Sequence, residues 1–418
     1  MRVLILSPIP YHPHCGNGGG VICFHFLKAL AARHDVHFLS FGSADQQDDS
    51  SVRAALLAFC KTVEFIPSPN AGRVKRLASR FAQAFGGPPV DAAGFRSDLM
   101  PKAIQRLTTT FGPDVVLFQF PYMAQYVGQV HGPLKVMDVQ DVFFVSRLRE
   151  YAAQTDRVSR FKKMLSWIAW TRYELRHYSE CDLLMAISEQ DEAALHALVP
   201  DVPAFTSPAA IQVSAATEIA HPTKDRIGFG GNFGHPPNVD ALRWLIREIA
   251  PAVAAQCPNV EFRVVGKGLP DDLLANAHPS VCFEGFVKDY AHFVRSCSAM
   301  VAPLRFGGGV KIKVLESLAY GRPVFATPIG AEGIPLSDTD GLFCARTADE
   351  MVEQLVAHLR EPEAALRAAT VGAQRIADLY GVERKVERFE AEVEALQAQN
   401  AGAATHGPVT SDAHEARI

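Results

Sequence analysis

The residues with the clearest chemical potential lie in one stretch, APLRFGGGVKIKVLESLAYGRPVFATPIGAEG, from Ala302 to Gly333. Gly307, Gly308 and Gly309 allow positive φ and let backbone N–H groups approach a ligand closely. A helix that follows such a loop presents unpaired N–H groups and a dipole that favours an anion. Lys313 and Glu316 stand three apart, which puts both on one helical face, leaning back toward the glycines. The ammonium suits a phosphate, and the carboxylate suits two vicinal hydroxyls. Arg305, just before the glycines, adds a forked donor that matches phosphate oxygens. The residues alone leave two accounts open: a phosphate site, or a plain turn followed by a surface ion pair.

Glycines also crowd the loop PIPYHPHCGNGGGV near the amino end, at Gly16, Gly18, Gly19 and Gly20. No G-x-G-x-x-G fingerprint with a suitably placed acid accompanies them, which argues against a dinucleotide site. His12 and His14 flank this loop without further ligands at metal spacing, and read as exposed loop histidines. The cysteines form no C-x-x-C pair, so the chain is expected to be reduced and to hold no metal.

Strands and helices must carry these loops. Apolar runs at Val3 to Ser7, Val36 to Phe41, Val63 to Ile66, Val115 to Phe118, Lys135 to Val139 and Leu183 to Ile187 read as strands, with helical patterns between them. Such alternation implies a parallel sheet covered on both faces. Between Ser207 and Thr223 both periodicities vanish and prolines mark each end, as in a linker. The alternation then restarts. Strands are expected at Arg226 to Phe229, Val260 to Val265, Val281 to Phe283, Met300 to Pro303 and Val324 to Thr327, with helices near Val239 to Ala254 and from Val310 to Tyr320. The organisation is therefore α/β: a domain over 1–206, a linker over 207–223, a second domain over 224–380, a helix over 381–397, and a disordered, polar tail over 398–418.

A chain of 418 residues suits two such domains with a cleft between them. Its 48% hydrophobic and 21% charged residues are an ordinary globular balance. A net charge of -4 gives no general attraction to nucleic acid, and none is expected as a partner. The opening MRVLILSPIP reads as a buried strand and not as a signal peptide. No apolar run approaches the ~18 to 20 residues of a membrane span, so a cytoplasmic protein is expected.

The stretch PLRFGGGVKIKVLESLAYGRPVFATPIGAEGI, preceded in order by GFGGNFGHPPNVDALRWL, FRVVGKG and FEGFVKD, resembles the donor site of the family 4 glycosyltransferases, a retaining family of GT-B fold. The likeness is closest over about Arg226 to Leu396. It implies two Rossmann-like domains facing across a cleft, with the helix over 381–397 packing back toward the first. It also implies a nucleotide-diphosphate sugar of UDP or GDP type as co-substrate, with no other cofactor and no metal. On this resemblance Glu316 matches the second glutamate of an E-x7-E motif, which binds the ribose hydroxyls. Gly308 stands where the first glutamate belongs, and backbone N–H groups of Gly308 and Gly309 are the substitutes that orient the donor sugar. Gly285, Phe286 and Val287 match the turn that holds the base, although an ordinary strand-end turn would look the same. Gly231 and Asn232 match a loop near the donor phosphates. Asn232 also suits a turn, and Asn238 reads as a helix cap. Gly18 and Gly19 match a Gly-Gly loop that faces the phosphates across the cleft.

The family often places a histidine at the end of a first-domain strand, and here VMDVQDVFF puts Gln140 in that place, flanked by Asp138 and Asp141. Three roles stay open for Asp141: orienting an acceptor hydroxyl, bonding a donor-sugar hydroxyl, or capping the next helix. The resemblance implies that the leaving phosphate itself assists acceptor deprotonation, so the chemistry survives without the histidine. Arg305, Lys313 and the glycine loops would then stabilise the departing diphosphate.

Two first-domain stretches, RVKRLASRFAQAF from Arg73 and RVSRFKKMLSWIAWTRYELRHY from Arg157, are basic and amphipathic, as interfacial helices are. Related enzymes often use lipid-linked saccharides, so peripheral contact with the inner face of a membrane is one reading. Burial of Trp167 and Trp170 in the core, with the charges as a solvated face, is the other. Three functions fit these residues: a glycosyltransferase acting on a saccharide or lipid-linked acceptor in polysaccharide or glycoconjugate synthesis, a GT-B-fold nucleotide-sugar 2-epimerase, and a non-catalytic nucleotide-sugar-binding partner subunit.

Overall fold

Strands that are apolar along their whole length need cover on both faces, and parallel sheets flanked by helices supply it. The computed structural model describes residues 1–12, 18–42, 50–69, 73–208, 211, 222–307 and 309–405, and its strands fall into two such sheets. β1 (Arg2–Ser7), β2 (Asp35–Gly42), β3 (Thr62–Pro67), β4 (Val115–Gln119), β5 (Leu134–Val139), β6 (Leu183–Ala186) and β7 (Ala204–Thr206) take the order β3-β2-β1-β4-β5-β6-β7. β8 (Thr223–Gly230), β9 (Glu261–Val265), β10 (Val281–Gly285), β11 (Cys297–Ala302), β12 (Val324–Ala326) and β13 (Leu342–Cys344) take the order β10-β9-β8-β11-β12-β13. Every pairing in both sheets is parallel. In each sheet the order reverses at one point, β1/β4 and β8/β11, and ligands of open α/β sheets sit beyond the strand carboxyl ends there.

The helices that position the loops are α1 (Gly18–Ala31), α2 (Arg73–Ala84), α3 (Phe143–Ala152), α4 (Arg157–Tyr178), α5 (Pro236–Trp244), α6 (Ile312–Ala319) and α7 (Val382–Thr405). α5 runs on through a π turn at Leu245–Ile249 into a further helix, Ala250–Ala254. The π turn lies just ahead of Pro251, whose ring would crowd the carbonyl four residues back in a regular helix. Trp170 of α4 is fully buried against Phe143, with ring centroids 4.1 Å apart, so this tryptophan is core.

The chain passes between the domains twice. Ile211, after β7, and Gly381, before α7, form an isolated parallel bridge, so the two crossings run side by side. α7 then lies on the first domain, where fully buried Phe389 meets Phe26 of α1 edge to face at 6.0 Å. Glu390 accepts from Arg33 at 2.6 Å and pairs with His34 at 2.6 Å. The helix continues to Thr405, so residues 398–405 are helical and not part of a disordered tail. Four of the eight residues of that extension are alanines, which outweigh the single glycine at Gly402 and account for the difference. Residues 406–418 lie outside the described residues, as does most of the expected linker.

Phe389→Ala is expected to lower the unfolding free energy by about 3 to 5 kcal/mol, whereas Gln399→Ala on the exposed side of α7 shifts it by less than about 0.5 kcal/mol. Urea denaturation measures both, and equal small effects would show that α7 does not seat on α1 in solution.

Candidate functional site

One edge of the second sheet is held together by glycines at the carboxyl ends of β8, β9 and β10. Gly231 donates to Val265 O at 3.0 Å, and Gly266 donates to Gly285 O at 2.7 Å. A Cβ on Gly266, whose φ is 146°, would stand 1.7 Å from Gly231 O, so no side chain fits there. Gly285 has φ 70°, a left-handed conformation that turns the chain into Phe286 and Val287. Phe286 is 49% exposed, with the Lys267 ammonium 4.3 Å from its ring centroid, while Val287 packs against the core. The fold therefore brings Gly231, Asn232, Phe286 and Val287 to one edge. Asn232 Oδ1 accepts from Gly234 N at 3.0 Å, which makes it a turn residue as well.

At the end of β11, Gly307 and Gly309 hold φ of 126° and 72°, and Gly308 lies outside the described residues. Thr327 locks this loop to the one after β12, donating its hydroxyl to Leu304 O and accepting from Gly330 N at 3.0 Å. α6 begins at Ile312 with no side-chain cap on its first turn. Lys313 donates to Asn238 Oδ1 at 2.8 Å, and Asn238 Nδ2 donates to Asn232 O at 2.9 Å. Asn238 is therefore no helix cap. It lies inside α5, whose N-cap is His235, and its side chain ties the loop after β8 to α6. Tertiary contact with a lysine far along the chain overrides the local preference.

Lys313 also lies 4.7 Å over the Phe229 ring, and burial, then the neighbouring Lys311 charge, pushes its pKa down to about 7. Burial pushes Glu316 up to about 7, and its carboxylate has no hydrogen-bond or ion-pair partner among the described residues. The two side chains are thus not a surface ion pair. Arg305 departs from its expected place. It grips Asp240 of α5 with two bonds, 2.9 and 2.5 Å, and lies over the Trp244 ring at 5.5 Å. A carboxylate offered by the adjacent helix has taken the fork that a phosphate was expected to fill.

Sequence reasoning passed over Lys311, His235 and Glu332. Lys311 donates to Gly309 O and lies 3.6 Å from Glu332, whose other oxygen meets Arg149 of α3 at 3.1 Å across the two domains. His235 has a lowered pKa from burial and then from the Lys313 and Lys311 charges. Their only sequence signal was position beside a strand-end loop.

On the first domain, Gly18 and Gly19 form the first turn of α1 and not a loop ahead of it, while residues 13–17, His14 among them, lie outside the described residues. At the end of β5, Gln140 Nε2 donates to Asp138 Oδ1 at 2.7 Å. Asp141 does not cap α3. That role falls to Glu174 of α4, which accepts from Phe143 N at 2.9 Å and Phe144 N at 2.8 Å. Asp141 instead accepts from Ser146 Oγ at 3.3 Å, and the protein packed around it pushes its pKa up to about 6 although solvent still reaches it. Among the described residues no three His, Cys, Asp or Glu side chains are grouped to hold a metal ion.

Residues 224–361 match the family model described as glycosyl transferases group 1. The second domain is a group 1 glycosyl transferase domain. No curated protein sequence matches the chain significantly. Among solved structures, sucrose-phosphate synthase from Thermosynechococcus elongatus is similar at 15% identity and TM-score 0.68, over 96% of this chain and 100% of that one. A TarM variant from S. aureus, in complex with fondaparinux, α-GlcNAc-glycerol and UDP, is similar at 11% identity and TM-score 0.66, over 94% and 100%. HepE from Anabaena in complex with UDP-glucose is similar at 13% identity and TM-score 0.62, over 94% and 100%. The architecture is that of the GT-B glycosyltransferases, two Rossmann-like domains with helices on parallel sheets.

The glycosyl transferase domain should exchange protons with solvent when it binds a nucleoside diphosphate. Phosphate favours charged Lys313, which adds a proton above about pH 7, and hydroxyl donors favour ionised Glu316, which loses one below about pH 7. Calorimetric titration with UDP in buffers of different ionisation enthalpy is therefore expected to show net uptake near pH 8 and net release near pH 6. A proton count that stays at zero across this range would remove both residues from the nucleotide.

Proposed function

We propose that the protein is a retaining glycosyltransferase, of the family 4 type, that moves a sugar from a nucleotide-diphosphate sugar to a hydroxyl of a saccharide or lipid-linked acceptor. The observation that carries this reading is the pairing of Lys313 and Glu316 on α6, both half-buried, both shifted to about 7, and aimed from one helix beside the Gly307 and Gly309 loop. Lys313 and the uncapped start of α6 would receive the diphosphate, Glu316 the ribose hydroxyls, and Gly231 and Asn232 the far side of the phosphates. Phe286 has one ring face on Lys267, which leaves an aromatic surface suited to a base beside Val287. Gly18 and Gly19, in the first turn of α1, would meet the phosphates from the other domain, together with Gly308 and Gly309. Arg305 belongs to this reading only if a donor displaces Asp240.

A departing diphosphate stabilised by Lys313 and by backbone N–H groups has no chemical requirement for a metal. Gln140 and Asp141 would face the reacting sugar, with Asp141, at about 6, ionised at neutral pH and able to accept a hydroxyl proton in a hydrogen bond. UDP in the complexes of TarM and HepE supports a uridine nucleotide ahead of a guanosine one.

A cytoplasmic enzyme of polysaccharide or glycoconjugate synthesis that touches the membrane from its surface fits the acceptor side. No helix among the described residues is long and apolar enough to cross a membrane. Phe81 and Phe85 on and beside α2 are 68% and 78% exposed with rings 4.7 Å apart, and Phe161 on α4 is 57% exposed between exposed Arg160 and Lys162. Exposed aromatics among cations are the composition of an interfacial surface.

Incubation with a panel of UDP-, GDP- and ADP-sugars tests the proposal, with nucleotide release and sugar transfer as readouts. Lys313→Ala and Glu316→Ala are each expected to lower kcat/KM by about 100-fold or more. Isomerised donor would point to the epimerase, and binding without turnover to the non-catalytic subunit. Diphosphate density in a soaked crystal lying away from Gly307 to Lys313 would remove the central assignment.

A further inference from the structure

Beneath Gln140 lies a buried polar group that nucleotide binding does not use. Asp138 and Gln119 are register partners at the carboxyl ends of β5 and β4, and both are fully buried. A carboxylate in that position requires donors and a compensating cation. Gln140 Nε2 supplies one donor at 2.7 Å and Gln119 Nε2 a weaker one at 3.4 Å. The cation comes from the other end of the chain. Lys385 of α7 stands 3.9 Å from Asp138 Oδ1, with the two side chains 2% and 1% exposed.

Lys385 has two further contacts. Its ammonium lies 5.0 Å over the Phe26 ring and donates to Ser207 O at 3.4 Å. Ser207 stands where the chain leaves the first domain, and Lys385 follows Gly381, where it returns. One ammonium therefore joins both crossings to the end of β5. Asp138 in turn holds the end of the neighbouring strand β4 as well as Gln140. Its carbonyl accepts from Phe120 N at 3.2 Å, and Phe120, at φ 65°, is the one non-glycine residue with positive φ among the described residues. Such strain persists where surrounding structure enforces it, and it clusters at functional sites. Gln119 Oε1, buried beside them, has no hydrogen-bond partner among the described residues.

We propose that Lys385 is a positioning residue for sugar transfer, acting through Asp138 on Gln140. A carboxylate only accepts hydrogen bonds, so the Gln140 amide must turn its NH2 to Asp138 and its carbonyl oxygen away from it. Gln140 is then fixed as a neutral acceptor for a sugar hydroxyl at the cleft, and it neither gives nor takes a proton. The inference rests on the transfer reading above, with Gln140 as the residue that touches the sugar.

The test uses the full-length protein and the member of the UDP-, GDP- and ADP-sugar panel with the greatest turnover. Lys385→Met leaves Asp138 uncompensated and frees Gln140. Its kcat is expected to fall about 10- to 100-fold at temperatures below its own unfolding, with donor KM and UDP Kd within about threefold of wild type, because Lys313, Glu316 and Phe286, which carry most of the nucleotide contacts in that reading, lie on the other domain. The double variant Lys385→Met with Asp138→Asn removes the unpaired charge but puts an amide that both donates and accepts where the carboxylate stood, so Gln140 stays unpinned and kcat is expected to remain about 10- to 100-fold down while thermal stability recovers. Gln140→Leu, which keeps the buried pair, is expected to lose kcat as Lys385→Met does and keeps the test decisive if that variant does not fold. A Lys385→Met protein that melts earlier but keeps its kcat, a double variant that regains wild-type kcat along with its stability, or a fully active Gln140→Leu each overturns the proposal. A wild type that turns over no donor overturns the transfer reading, and the positioning role falls with it.

Discussion

Parallel pairing of every strand is the constraint on which the site depends. It sends all strand carboxyl ends of a sheet to one edge, so loops far apart in sequence become neighbours without any contact of their own. Gly231, Gly266, Gly285 and Gly307 share such an edge, and Gln119, Asp138 and Gln140 share another. The glycines let these loops close up until backbone meets backbone, as Gly266 does against Gly231. What they present to the cleft is then peptide groups and a helix start, whose polarity is set by geometry and does not titrate.

Side chains that do titrate are placed on that frame at some expense to stability. Burial opposes the charge on both Lys313 and Glu316, and neither is compensated by the other. A protein selected for stability alone would have no use for two such residues a single turn apart, whereas a charged, hydroxyl-bearing ligand would satisfy both. Arg305 and Asp240 make the opposite case. Their bonds are short but water reaches them, and an exposed pair of this kind contributes about 0 to 1 kcal/mol. Short distance and functional weight are therefore different things in this molecule.

How much of this the residues revealed depended on the range of the interaction. Strands with four or more apolar residues and the helix after the glycine loop were legible, because periodicity is local. β7 and β13, three residues each at sheet edges, were too short to show any period. Lys313 and Glu316 were legible as a pair on one helical face. Their lack of mutual contact was not, since Asn238 draws the lysine toward α5, 75 residues earlier in sequence. The same limit hid Asp240 from Arg305, Glu174 from the start of α3, and Lys385 from Asp138. Each is a long-range partner that outcompetes a plausible local one.

The side-by-side crossings at Ile211 and Gly381, with α7 returning to lie on α1, also mean that sequence boundaries and spatial boundaries differ. Val386, Phe389 and Val393 of α7 pack into the same core as Phe26 and the first sheet, and that core is incomplete without them. A chain cut after the second sheet would leave Phe26 facing water and Asp138 without its cation. Exchange of a domain with a relative is consequently not a matter of joining one amino half to another carboxyl half. The unit of inheritance for the first domain is discontinuous, and its two pieces must be carried together.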